Sequence, residues 1–118
     1  MNTLTTIAIC LVIILHCSFF VLEMFLWRTT YGRKTFALSE DYAKQSASLA
    51  ANMGLYNLFL AAGLLWGLLS TAGFDVLVFF LSCIIIAGLY AGITIKRTIL
   101  WIQALPAAIA LSLLILNT

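Results

Sequence analysis

The sequence predicts an all-α, polytopic membrane protein: an antiparallel bundle of four transmembrane helices with both termini extracytoplasmic. Three observations carry this expectation. Of 118 residues, 64% are hydrophobic and 8% charged, with mean hydropathy +1.16. A soluble domain this short could not cover so much apolar surface with so few charges. The apolar residues fall into four stretches, roughly 4–27, 47–70, 75–95 and 99–116. Each is near the ~20 residues that cross ~30 Å of hydrocarbon at ~1.5 Å per residue. The charges are sorted between the stretches. Arg28, Arg33, Lys34 and Lys44 follow the first, and Lys96 and Arg97 separate the last two. The two ends and the turn at 71–74 carry no Lys or Arg.

Backbone groups in lipid must be satisfied within their own segment, so the stretches read as helices. The first, at about 4–27, has no basic residue before its apolar core and no small-x-small site. It is expected to stay as a span rather than leave as a signal peptide. Thr29, Thr30, Tyr31 and Gly32 read as a turn. Ser39 followed by Glu40 and Asp41 reads as a helix N-cap with acids on the positive dipole end, so the second helix is expected over 40–70. The tight turn at 71–74 makes it a hairpin with the third helix, 75–95. Residues 96–98 do the same for the third and fourth, the last over 98–116. The whole chain, 1–118, is expected to be one domain. All six basic residues place loops 28–46 and 96–98 on the cytoplasmic side of the cell membrane, as a multi-pass protein. The net charge of +2 then serves topology and contact with anionic lipid, with nothing pointing to nucleic acid.

Chemistry-bearing residues are few. Cys10, Cys17 and Cys83 lie within spans at no metal-ligand or CxxC spacing and read as small apolar fillers. Neither a metal nor a cofactor is expected. Gly63 with Gly67, and Gly88 with Gly92, form two GxxxG pairs that let helices approach closely, within or between subunits, so a homo-oligomer stays open. Pro106 withholds a donor from the Ile102 carbonyl and is expected to kink the fourth helix.

Glu23 is the most informative residue. It sits inside the first apolar stretch, where a carboxylate has lost much of its water, and ionisable groups in such places are functional candidates. It shares a helical stripe with His16, Phe20 and Trp27. On the second helix Asn52, Tyr56, Gly63 and Gly67 share a face, and Asn57 points elsewhere. Counted from the cytoplasmic end, Glu23 lies about 6 Å in, Asn52, Tyr90 and Gln103 about 7–8 Å, Tyr56 about 13 Å and His16 about 16 Å. Four helices thus bring a polar side chain to nearly one level. If the faces converge, they make a cytoplasm-facing polar pocket with His16 at its floor. The bland counterparts are a Glu23 ion pair with Arg28 or Arg33, an aromatic belt of Trp27, Tyr31 and Trp101, and polar residues that only join helices.

Several blocks also carry a family resemblance: Glu23-Met-Phe-Leu-Trp27, Gly32-Arg-Lys-Thr-Phe-Ala-Leu38, Ala50-Ala-Asn-Met-Gly-Leu-Tyr-Asn57, Phe59-Leu-Ala-Ala-Gly63 and Gln103-Ala-Leu-Pro106. Together the chain resembles the domain-of-unknown-function 1304 family of small integral membrane proteins of bacteria and fungi. The resemblance implies four transmembrane helices and no established activity. It also expects Gln where this chain has Met53, so one polar group is missing from the second helix. Small multidrug resistance transporters are similar in size and helix count, but their helix-one Glu lies deeper and their loop charge is balanced. The likeness there is one of architecture alone.

Three functions follow as alternatives. The protein binds or carries a small amphipathic molecule, with Glu23 as counter-ion or proton-coupled group and Asn52, Tyr56, Gln103 and Tyr90 around the ligand. Or it is a partner subunit whose polar layer only specifies packing. Or it is an enzyme on a lipid or quinone-like substrate, with His16 or Glu23 as acid/base. No nucleophile–base pair is readable, so an enzyme is the less expected case.

Overall fold

The computed structural model describes residues 1–117. It is all-α, with no strand among the described residues. Helix α1 spans Thr3–Met24, α2 Thr30–Phe36, α3 Glu40–Leu69 and α4 Phe74–Thr94. A π-helical turn, Leu100–Ala104, then leads into α5, Leu105–Leu116. By length and composition α1, α3 and α4 can each cross a membrane, while Leu100–Leu116 is a shorter apolar helix. The chain forms two compact units, residues 1–15 with 60–118, and residues 16–59.

In the first unit, Leu77, Leu81, Ile84, Gly88 and Gly92 are buried along one stripe of α4, at spacings of four, three, four and four. They meet Ile9 and Val12 of α1, Leu64 of α3, and Ala107 and Ala110 of α5. Glycine sets how closely the helices approach. Gly63 lies under the Phe80 ring and Gly67 under Leu77. A Cβ on Gly88 would come within 2.7 Å of the Ala104 nitrogen, and one on Gly92 would overlap Leu100. The outside is equally apolar: Phe79, Ile86, Ile93 and Trp66 are all exposed. Water would penalise that surface, whereas lipid does not.

Pro106 stands in the first turn of α5. The helix accommodates it by widening: the Leu105 nitrogen donates to Leu100 O, five residues back, instead of four. A proline that removes a donor is thus met by a π turn.

The second unit departs from expectation between α1 and α3. Helix α1 stops at Met24 because Thr29 folds back: its hydroxyl donates to Leu26 O at 2.6 Å, and its nitrogen to the same oxygen at 3.1 Å. The segment read as a turn is instead the start of α2. Thr29 caps it, accepting from the Gly32 nitrogen at 3.1 Å. A Cβ at position 32 would overlap the Leu26 carbonyl, so the turn requires glycine there. Ser39 caps α3 by accepting from the Tyr42 nitrogen at 3.1 Å, with Glu40 and Asp41 in the first turn.

Helix α2 ends in a Schellman motif. Leu38 N donates to Arg33 O at 2.9 Å and Ala37 N to Lys34 O at 3.4 Å. Ala37 holds the left-handed position, φ 55°, that usually takes glycine. A left-handed alanine costs about 1–2 kcal/mol. Ala37→Gly is therefore expected to stabilise the protein by about 1 kcal/mol after the extra unfolded-state entropy is subtracted. Thermal unfolding in detergent reads this as a higher midpoint, and an unchanged or lower one contradicts it.

Candidate functional site

The second unit encloses Glu23. The residue is 8% exposed on the last turn of α1, and its Cβ packs against Gly54 of α3. A Cβ on Gly54 would stand 3.1 Å from both Glu23 Cβ and Phe20 O, so the missing side chain brings α3 against the backbone of α1. One turn further along α3, Asn57 Nδ2 donates to Glu23 Oε1 at 2.5 Å. Gly54 and Asn57 are three apart and therefore share a face. A second tie lies nearer the loop. Trp27 Nε1 donates to Ser46 Oγ at 3.0 Å, while the Ser46 hydroxyl donates to Tyr42 O at 2.6 Å. Trp27 also packs on Phe36, ring centroids 4.9 Å apart.

This geometry corrects the expected partner of Glu23. Asn57, set aside by helical phase, is the residue that meets the carboxylate. Asn52 and Tyr56 are exposed, and the Tyr56 ring meets Phe59 edge-on. The face drawn through Asn52, Tyr56, Gly63 and Gly67 was anchored on two glycines that pack against α4, and it gave the wrong phase for the part of α3 beside α1. Gly54 was the overlooked signal, since a glycine one turn before an amide marks where another helix comes close. Glu23 also forms no ion pair with Arg28 or Arg33. Among the described residues the one ion pair is Arg33–Glu40 at 3.9 Å. His16 is fully buried, with its ring edge-on to Phe19 at 5.2 Å. In the first unit Tyr90 is exposed and Gln103 half-buried.

A family profile described as "Protein of unknown function (DUF1304)" matches residues 10–115. The chain belongs to the DUF1304 family. No curated protein and no solved structure matches it. Membership places this DUF1304 chain among proteins without an assigned activity, so its chemistry has to be argued from Glu23 and Asn57. A carboxylate has about four acceptor positions. Asn57 fills one of them in this DUF1304 protein, and among the described residues no cation pairs with the group. The carboxylate therefore keeps acceptor positions that Asn57 does not fill. The described residues of the DUF1304 chain hold no cluster of three His, Cys, Asp or Glu.

Proposed function

We propose that the protein is a multi-pass membrane protein with four spanning helices, the fourth being the shorter Leu100–Leu116. Both termini are extracytoplasmic, and loops 28–46 and 96–98 are cytoplasmic. Its function is to bind or carry a small amphipathic molecule through Glu23. One observation carries this: a carboxylate within a span, 8% exposed, is met by a neutral amide and not by a cation. A buried charge without a counter-charge is costly, and such groups in spans mark ligand and ion paths. Glu23 is the counter-ion or proton-coupled group. Asn57 takes the orienting role first given to Asn52, Tyr56 and Gln103.

The test uses tetraphenylphosphonium, a lipophilic cation, titrated calorimetrically into the protein in nanodiscs at several pH values. Wild type should bind with an affinity that varies with pH. Glu23→Gln should bind at least tenfold more weakly, with a flat profile. PH-dependent binding retained in Glu23→Gln overturns the proposal.

A packing role is the second reading, favoured by Gly54, which presses α3 onto the Glu23 side chain. It expects no binding in wild type or variant, with loss of stability alone. An acid/base enzyme draws no support from His16, which is fully buried beside Phe19.

A further inference from the structure

The first unit carries an apolar groove of about 320 Å³ on its outer surface. Ile85 and Leu89 of α4 form one wall; Leu100, Trp101, Ala104 and Ala108 form the other wall and the floor. The groove exists because of the close approach already described. Gly88 and Gly92 draw the backbones of α4 and the π turn together, and Ala104 and Ala108 are too small to fill the space beside them. Its length, from Leu100 to Ala108, is about 12 Å at helical rise. It has the shape and chemistry to take a hydrocarbon chain lying along the helices.

One end of the groove, at Leu89, Leu100 and Trp101, adjoins the loop at 95–99. Lys96 and Arg97 stand there, both exposed. Among the described residues neither has a carboxylate within ion-pair distance. The only other charged residue of 60–118 is Asp75, at the start of α4, about 30 Å away along that helix. An apolar channel thus ends under two uncompensated cations beside an exposed Trp101. A free anion would make no use of the channel, and a neutral lipid none of the charge.

We propose that this groove binds one acyl chain of an anionic phospholipid, whose phosphate is held by Lys96 and Arg97. The site is independent of Glu23.

The protein has three tryptophans. With Trp27→Phe and Trp66→Phe, Trp101 alone reports. The full chain is reconstituted in phosphatidylcholine vesicles with a small, equal fraction of either dibrominated phosphatidylglycerol or dibrominated phosphatidylcholine. Brominated chains quench tryptophan on contact. The anionic lipid should quench Trp101 several-fold more effectively. Each cation near a surface contributes roughly fivefold in affinity, so Lys96→Gln with Arg97→Gln should abolish the preference. The remaining basic residues at 28, 33, 34 and 44 keep the charge bias of the other loop in that variant. Ala108→Leu, which fills the groove, should lower quenching by the anionic lipid while helicity by circular dichroism is unchanged. Glu23→Gln should leave the preference intact, which separates this site from the carboxylate site. Equal quenching by both lipids overturns the proposal. So does a preference that survives loss of both cations or filling of the groove.

Discussion

Asn57→Ala is expected to destabilise the folded protein by about 2 kcal/mol, more than most polar substitutions in a membrane span. Interhelical hydrogen bonds in lipid average ~0.6 kcal/mol and reach ~1.7, because the unfolded chain in the membrane finds other partners. The bond at Glu23 lies at the upper end for two reasons. While Glu23 is ionised its acceptor is a carboxylate, and such bonds are roughly twice as strong as neutral ones. The acceptor also remains behind, 8% exposed and without its donor. Leaving a buried group unsatisfied costs about 1–3 kcal/mol. A double-mutant cycle with Glu23→Gln isolates the charge-assisted part of the pair. Reversible unfolding by titrating dodecyl sulfate into mixed micelles supplies the four free energies. Once Glu23 is Gln, Asn57→Ala should cost less than half as much. If the two losses simply add, the charge on Glu23 contributes nothing to this bond beyond what a neutral amide oxygen supplies.

Gly88→Ala is the second large effect, at about 2–3 kcal/mol of lost stability. A single methyl is usually cheap, and alanine in place of glycine favours a helix by about 1 kcal/mol. Here the new Cβ would stand 2.7 Å from Ala104 N and 3.0 Å from its Cα and Cβ. These are backbone atoms of a helix, which cannot rotate aside as a side chain can. The two helices must separate, and dispersion contacts along the whole α4 interface weaken together. Ile86→Ala, at a position 67% exposed on the same helix, is the control and should change stability by less than about 0.5 kcal/mol. The same denaturant titration measures both. Wild-type stability in Gly88→Ala would mean that α4 and the last helix are not held by this contact.

The helical class, three long apolar helices and the family were all legible in the chain. Each depends on features that add up over many residues: apolar length, charge sorting and blocks of matching residues. The α3 start was legible too, because a serine before two acids is a local signal that needs no tertiary partner. What escaped was decided between segments. Helix α2 is only 7 residues long and depends on Thr29 turning back to Leu26, a bond that no propensity sum reveals. The partner of Glu23 does not follow from a single face drawn along the 30 residues of α3. A helix that long meets different neighbours at its two ends, so a single stripe cannot describe it. Trp27 shows the same limit from the other side. Its position at the end of the apolar stretch suggested a belt residue, yet its indole nitrogen is tied to Ser46.

The π turn at Leu100–Ala104 has a consequence for relatives of this chain. Such a turn holds one residue more than an α-helical path over the same rise. It is the structural equivalent of a single-residue insertion that the packed stripe of Ala104, Ala107 and Ala110 has absorbed. A relative one residue shorter between the Arg97 and Pro106 positions, and without the proline, is expected to keep that stripe in place on an ordinary helix. A one-residue gap there is expected to change the winding of this helix while the alanine stripe stays packed.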